Sequence, residues 1–161
     1  MKNLIESHTH NIYLKPGEVV VARKPVLIST ILGSCVAVTM FSPDCGFGAI
    51  CHAMLPDSAG RSEDLRYVDT ALRHIHRKAV EYGVEKNLVV KLFGGSSMLN
   101  IEKSEASALT IGEQNVACAL EVIASLGLEI AGSDTGGPVG RKLYFCTRDG
   151  DVYLRRMRHI R

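Results

Sequence analysis

The stretch Val26–Pro56, VLISTILGSCVAVTMFSPDCGFGAICHAMLP, decides how this chain is expected to fold. It contains three apolar runs rich in β-branched residues, Val26–Ile31, Val36–Phe41 and Phe47–Met54. Such runs predict strands. A Gly-Ser pair separates the first two runs, and a Ser-Pro-Asp turn separates the second from the third. The stretch therefore predicts three successive strands separated by turns.

Outside this stretch the spacing of apolar residues predicts two main helices. Leu65, Val68, Leu72, Ile75 and Ala79 recur at intervals of three and four residues, as on one face of a helix. Ser62 is the expected cap of its start and Gly83 its expected left-handed end. The second helix is expected over about 112–126, with Val116, Ala119, Leu120 and Ile123 on one face.

The remaining segments read as strands and an extended N-terminal arm. Asp149-Gly150 between two apolar runs is typical of a two-residue hairpin. The order of strands, helix, strand, helix and strands favours an α/β domain of α+β type, a layered sandwich with a mixed sheet. Further strands are expected at Leu88–Phe93, Leu128–Ala131, Leu143–Thr147 and Val152–Arg155, and the arm at Asn11–Arg23.

Length and composition favour one domain over residues 1–161, with an arm at 1–15 and a basic tail at 156–161 as its expected flexible ends. Hydrophobic residues make up 46% of the chain, which is enough for a substantial core. The net charge is +2, so no nucleic-acid partner is expected. The arginines near the C-terminus read as a solvated tail or as a docking patch for an acidic partner.

The cysteine pattern argues against a disulfide framework and against structural zinc. The five cysteines are an odd number and show no CxxC spacing. The chain has neither an apolar leader at its start nor an apolar run long enough to cross a bilayer, so we expect a cytoplasmic protein that is not embedded in a membrane. The cysteines are Cys35, Cys45, Cys51, Cys118 and Cys146.

Cys35 and His52 are the candidates for chemistry. Cys35 follows a glycine turn, at the start of the run Val36–Phe41. His52 lies 17 positions later, inside the following run Phe47–Met54, so two adjacent strands could bring both side chains to one end of a sheet. A thiol beside an imidazole is the basic unit of nucleophilic cysteine catalysis, because the base favours the thiolate. The alternatives are a buried apolar cysteine and a core histidine that has found a hydrogen-bond partner.

A third group is needed to orient the imidazole. Ser29 and Thr30 lie just before Cys35, and Asp44 and Asp57 are further candidates that read as turn residues. The segment Gly94–Ser97 resembles a phosphate-binding nest but lacks the lysine of a P-loop, so a tight turn is favoured. His74 and His76 lie two positions apart on a helix, which makes a poor metal pair.

Beyond these residues, the chain resembles the CheD family of bacterial and archaeal chemotaxis proteins from about Pro16 to Arg155. The resemblance is most specific in LGSCVAV and GAICHAMLP. The matching segments are Leu32–Val38, Gly48–Pro56, Tyr67–Ala71, Lys91–Gly95, Ile111–Asn115 and Asp134–Arg141.

The resemblance implies a chemoreceptor glutamine deamidase, which converts selected glutamine side chains of receptors to glutamate. It implies Cys35 as nucleophile, His52 as general base and a threonine as third member. Ungapped counting from Cys35 puts the position of that threonine at Ser29. Thr30 is the next residue along the strand, so we expect its side chain to point to the opposite face. It also implies a fold like that of deamidating toxins, no metal or organic cofactor, chemoreceptor cytoplasmic domains as partners, and in some members a CheC-type phosphatase.

Two other functions stay open at this point. One is a noncatalytic adaptor that docks on receptors or on a phosphatase. The other is a cysteine hydrolase that acts on receptor methyl esters, because the same thiol chemistry serves an ester and an amide.

Overall fold

The computed structural model describes residues 4–5, 10–97 and 109–158. A short 3-10 turn at Glu85–Asn87 lies between the helix Val68–Glu81 and the strand Val89–Gly94. The mixture of strands and two main helices confirms the predicted α+β class. In chain order the elements are β1 (Asn11–Tyr13), β2 (Val19–Ala22), β3 (Leu27–Leu32), β4 (Val36–Ser42), β5 (Phe47–Ala53), α1 (Val68–Glu81), β6 (Val89–Gly94), α2 (Ile111–Ser125), β7 (Ile130–Thr135), β8 (Arg141–Cys146) and β9 (Val152–Arg156).

The larger sheet has five strands in the order β2-β5-β4-β6-β7. Its central strands β4 and β5 are buried along their whole length. Strands that are covered on both faces need apolar residues at nearly every position, which explains why both sequences are continuous apolar runs. Val36 and Val38 pack against the helices, whereas Ala37 packs against the second sheet. The five-stranded sheet is therefore the middle layer.

The second sheet has four strands in the order β1-β3-β8-β9 and forms an outer layer. Strands β3 and β8 run antiparallel, with Leu32 opposite Arg141. Ile28 and Phe145 from this sheet meet Ile50 and Phe93 from the other in one core between the sheets. Helices α1 and α2 cover the far face of the five-stranded sheet. The three layers confirm the predicted layered sandwich.

Helix α1 buries the predicted face but begins later than predicted. Val68, Leu72, Ile75 and Ala79 are all buried. The prediction that Ser62 caps the helix is wrong, because α1 begins at Val68 without a side-chain cap. The Ser62 hydroxyl instead accepts a hydrogen bond from the Asp64 N–H, in a turn that precedes the helix.

Helix α2 begins at Ile111, and the Thr110 hydroxyl caps it by accepting from the Glu113 N–H at 3.2 Å. The expected inclusion of Leu120 in the buried face is wrong, because Leu120 is 46% exposed. The buried face of α2 is rotated relative to the predicted face, because Gly112 packs directly on the backbone of residues 95 and 96. The buried residues of α2 are Gly112, Asn115, Cys118, Ala119, Val122 and Ile123.

The predicted hairpin of β8 and β9 is confirmed, but its loop is longer than two residues. The Cys146 N–H donates to the Asp151 carbonyl, and the Gly150 N–H donates to the Cys146 carbonyl. Thr147 leaves the hairpin because its N–H and hydroxyl both bind Val26. The local Asp-Gly signal is outweighed by this tertiary contact.

Part of the arm expected at 1–15 (residues 1–3 and 6–9) and part of the tail expected at 156–161 (residues 159–161) lie outside the described residues, whereas Asn11–Tyr13 of the arm form β1 and pair with β3. Arg156 closes β9, and the Met157 N–H donates to the Gly140 carbonyl. Within residues 4–5, 10–97 and 109–158, neither helix has the length and apolar character needed to span a bilayer.

Candidate active site

His52 lies between the two sheets, on the central strand β5. Its backbone N–H donates to the Glu18 carbonyl, and its carbonyl accepts from the Gly17 N–H, so β2 fixes the position of the residue. The side chain is 1% exposed. Alternation along β5 turns Cys51 and Ala53 toward the helices and His52 toward the four-stranded sheet. The imidazole is thus placed in the inter-sheet layer, away from bulk water.

The His52 ring is held by Thr30. Thr30 Oγ1 lies 2.6 Å from His52 Nδ1 and 2.7 Å from the Leu14 carbonyl oxygen. A hydroxyl has one proton, and the carbonyl can only accept, so Thr30 donates to Leu14 and accepts from His52 Nδ1–H. This hydrogen-bond pattern assigns the proton of the neutral ring to Nδ1 and leaves a lone pair on Nε2. The ring is therefore in the tautomer that a general base requires.

The sequence-based choice between Ser29 and Thr30 is reversed by these contacts. Thr30 is fully buried and bonded to His52. Ser29 lies on the other face of β3, half-buried, opposite Tyr13 of β1 and Tyr144 of β8. Ser29 and Thr30 do point to opposite faces of β3, as alternation requires. The ungapped count from Cys35 placed Ser29 on the inner face, which Thr30 occupies in the structure. A count that is off by one residue exchanges the faces of a strand.

Cys35 lies immediately before β4 and on the same face of the sheet as His52. Ala37 is directly opposite His52 in the β4–β5 register, and Cys35 precedes Ala37 by two residues. Positions two apart along a strand share a face, and such diagonal neighbours across a sheet are within reach of long side chains. The Cys35 side chain packs at the edge of the inter-sheet core and is partly exposed. The structure thus brings the predicted thiol and imidazole to one end of the same face.

Burial acts on the ionisation of both groups. It raises the pKa of the Cys35 thiol above its ordinary 9.0, although the residue's own N–H lowers it in part. Burial also lowers the pKa of His52 from 6.5 to about 4. Both shifts favour the neutral forms. Nε2 of His52 has no hydrogen-bond partner among the described residues, Cys35 included. Burial therefore favours a neutral thiol and a neutral imidazole, whereas the sequence predicts a thiolate favoured by His52.

The turn at residues 94–97 is hydrogen-bonded to the loop at residues 33–35, which carries Cys35. Its N–H groups are occupied: Gly95 donates to the Cys35 carbonyl, Ser96 to the Gly33 carbonyl and Ser97 to the Gly137 carbonyl. A side chain at Gly94 would overlap the Cys35 carbonyl oxygen, which explains the glycine. The tight turn favoured by the sequence is what the structure has, and these N–H groups are not free to hold a phosphate.

The other candidates lie apart from the Cys35–His52 pair. Asp44 accepts from the side chain of Asn87, 43 positions away in sequence, and Asp57 accepts from the Ala59 N–H in its own turn. Cys51 faces the helices, where burial raises its pKa to about 12. Across the described part of the chain, histidine, cysteine and carboxylate side chains form no group of three suited to a metal ion.

Sequence reasoning did not single out Asn115. It is completely buried on α2, and its Nδ2 donates to the Ser34 carbonyl at 2.9 Å and to the Met54 carbonyl at 3.1 Å. A signal was present, because Gly112, Asn115 and Cys118 share the helical spacing of one face. Asn115 was passed over because only its apolar neighbours were used to define that face.

The chain is similar to known proteins of one family. The family model "CheD chemotactic sensory transduction" matches residues 54–156. A relative from Maridesulfovibrio salexigens is 44% identical over 162 residues, which cover 94% of this chain and 95% of the relative. A relative from Geobacter sulfurreducens is 46% identical, covering 91% and 90%. One from Methanococcus maripaludis is 34% identical, covering 89% and 93%.

The names of these relatives contain the words "Probable chemoreceptor glutamine deamidase CheD". The family model begins after His52, but the alignments with the relatives span about nine-tenths of the chain. These relatives are at least 34% identical to this chain. The chain belongs to the CheD family.

Proposed function

We propose that this protein deamidates glutamine side chains of chemoreceptors, which releases ammonia and leaves a glutamate side chain in the receptor. The name carried by its relatives supports the substrate. The observation that carries the chemistry is the Thr30–His52 hydrogen bond, which leaves Nε2 of a neutral imidazole free on the face that bears Cys35. A nucleophile, a base in the correct tautomer and a group that orients the base are the parts that amide hydrolysis through a thioester needs.

In the proposed first step, the Cys35 sulfur attacks the γ-carboxamide carbon of a receptor glutamine while His52 Nε2 accepts the thiol proton. General-base transfer during attack suits a resting thiol whose pKa is raised by burial. The oxyanion that develops would be stabilised by the N–H groups of Ser34 and Cys35. Loss of one such donor in other enzymes costs roughly 3–4 kcal/mol.

In the following steps, the His52 imidazolium gives its proton to the departing nitrogen, so that ammonia leaves and a thioester remains on Cys35. The neutral imidazole then takes a proton from a water molecule, which attacks the thioester carbonyl. Collapse of this second intermediate releases glutamate and returns the proton to the sulfur. Each proton is carried by His52, so the cycle ends with the thiol and the neutral imidazole from which it began.

The cytoplasmic domains of chemoreceptors are the proposed partners, and a CheC-type phosphatase is a further partner that the family resemblance implies. A cytoplasmic location follows from this choice of partner. The partly exposed sulfur at one end of the sandwich suits a substrate side chain presented by a large macromolecule.

The proposed function is tested by incubating the full-length protein with the cytoplasmic fragment of a chemoreceptor. We expect release of ammonia and a gain of about one dalton per modified glutamine in the receptor peptides, because an amide becomes an acid. A loss of about fourteen daltons would instead indicate hydrolysis of a methyl ester. Tight binding without any mass change would indicate the noncatalytic adaptor, and either result would contradict the proposal.

Replacing Thr30 by valine tests the positioning of the imidazole. Valine keeps the branched shape but removes the hydroxyl that accepts from Nδ1, so the tautomer and orientation of His52 are no longer fixed. We expect kcat to fall by roughly 100-fold, and Thr30→Ser to restore most of it because serine keeps the hydroxyl. Ser29→Ala is the matched control and should stay within about twofold. Equal losses in Thr30→Ser and Thr30→Val would remove the hydroxyl from the mechanism.

A further inference from the structure

Three successive carbonyl groups around the nucleophile are each held by a donor from outside their own loop. The Gly33 carbonyl accepts from the N–H and the hydroxyl of Ser96, at 3.0 and 2.7 Å. The Ser34 carbonyl accepts from Asn115 Nδ2 at 2.9 Å. The Cys35 carbonyl accepts from the Gly95 N–H at 2.8 Å. The orientation of every peptide plane from residue 33 to residue 35 is therefore fixed.

Fixing these carbonyls also fixes the N–H groups of the same peptides. In a planar trans peptide the C=O and the following N–H point in opposite directions. The Ser34 N–H consequently points away from Ser96, and the Cys35 N–H points away from Asn115. The Cys35 N–H belongs to the residue that carries the sulfur, so covalent geometry keeps the two groups close together. A carbonyl carbon that the sulfur attacks therefore brings its oxyanion within reach of this N–H.

Asn115 differs from the other donors because it is a side chain that joins two parts of the site. Its Nδ2 donates both to the Ser34 carbonyl and to the carbonyl of Met54, which directly follows the strand that carries His52. The side chain is completely buried, and its Oδ1 finds no hydrogen-bond partner in the described residues. A buried amide that leaves its oxygen unsatisfied is costly, so both of its N–H bonds need a function that outweighs this cost.

The surrounding glycines allow this close approach. A Cβ on Gly112 of α2 would lie 2.5 Å from the carbonyl oxygens of Gly95 and Ser96. A Cβ on Gly95 would overlap the side chain of Val116. The first turn of α2 can therefore lie directly on the turn at 94–96, which brings Asn115 within reach of the Cys35 loop.

We propose that Asn115 is a positioning residue of the deamidation reaction, which holds the Ser34–Cys35 peptide so that its N–H faces the oxyanion. Ser96 has the same effect on the Gly33–Ser34 peptide through its hydroxyl. This inference rests on the proposed function, because it assigns donors to the transition state of that reaction. It predicts that Asn115 affects the chemical step more than substrate binding or the reactivity of the sulfur.

The test compares deamidation with alkylation of Cys35 in an Asn115→Ala variant. Iodoacetamide reacts with the thiol by displacing iodide at a saturated carbon, so no oxyanion forms and the peptide N–H groups are not needed. We expect kcat for ammonia release to fall by about 10- to 100-fold, with KM and the alkylation rate of Cys35 each within about threefold of the wild type. Alkylation is followed on the Cys35 peptide by mass spectrometry, because Cys45 is also exposed.

Val122→Ala is the matched control, since Val122 is buried on the same helix and packs in the helix-side core. It should lower the unfolding midpoint without lowering kcat by more than about twofold. If Asn115→Ala fails to fold, Ser96→Ala replaces it. This variant keeps the backbone bond to Gly33 and should lower kcat by about 3- to 10-fold with unchanged alkylation.

The inference is contradicted if Asn115→Ala keeps the wild-type kcat. It is also contradicted if the alkylation rate of Cys35 falls as far as kcat in this variant, or if Val122→Ala lowers kcat by the same factor. Unchanged kcat in Ser96→Ala, where that variant has to replace Asn115→Ala, contradicts it as well. A wild-type protein that releases no ammonia from receptor fragments contradicts the proposed function itself, and the two failures are therefore distinguishable.

Discussion

A Cys35→Ala variant is expected to lose at least about 1000-fold in ammonia release while it keeps its fold. The proposed thioester forms on this sulfur, which belongs to the inter-sheet face that His52 also occupies. Cys51, the neighbour of His52 in sequence, faces the helices, and burial raises its pKa to about 12. Removal of the nucleophile leaves only the contribution of substrate binding and of the oxyanion donors.

The matched control for this variant is Cys45→Ala. Cys45 is an exposed thiol in the turn between β4 and β5, on the same pair of strands. Its variant should release ammonia within about twofold of the wild-type rate, and both variants should unfold near the wild-type temperature. Substantial ammonia release by Cys35→Ala, above one-tenth of the wild-type rate, would exclude a thioester mechanism.

The second large effect is expected for His52→Gln. Without the imidazole no group accepts the thiol proton, so kcat/KM at pH 7 should fall by about 100- to 10,000-fold. Burial holds the pKa of His52 at about 4, and the ring is consequently neutral and able to act as a base at every pH above that value. The wild-type kcat/KM should therefore be retained down to about pH 5 and decline near pH 4, below the ordinary histidine range.

The variant should also behave differently at alkaline pH. Burial raises the pKa of Cys35, so the thiolate forms without a base only above the ordinary 9.0, and the residual activity of His52→Gln should rise in that range. His76→Gln, at a half-buried position of α1, is the control and should keep the wild-type profile. A strong thiolate absorbance from Cys35 at pH 7, or an acid limb near pH 6.5, would contradict the neutral resting pair.

The strands and helices were predictable because their periodicity is local. β4 and β5 are covered on both faces, so their sequences are unbroken apolar runs that stand out without any tertiary information. The helix boundaries were less accurate, since the start of α1 depends on the turn at 62–67 rather than on Ser62. The long loop between β8 and β9 depends on Thr147 binding Val26, a contact between residues 121 positions apart.

The sequence placed Ser29, and not Thr30, on the face that meets His52, for a physical reason. Ser29 and Thr30 are adjacent in β3, and both carry a hydroxyl. Which of them faces His52 depends on the register of β3 against the other sheet, which a count through the turn at 33–34 does not determine. The same limit applies to Asn115, because its partners at Ser34 and Met54 are far away in sequence.

The central claim is that the Cys35 sulfur is the reacting atom, and graded alkylation tests it most directly. The wild-type protein is treated with iodoacetamide for increasing times at mildly alkaline pH. The fraction of modified Cys35 is then measured by peptide mass spectrometry beside the remaining rate of ammonia release from a receptor fragment. We expect activity to fall in direct proportion to the modified fraction of Cys35, whatever the state of Cys45. Full activity in a sample whose Cys35 is completely alkylated would contradict the account.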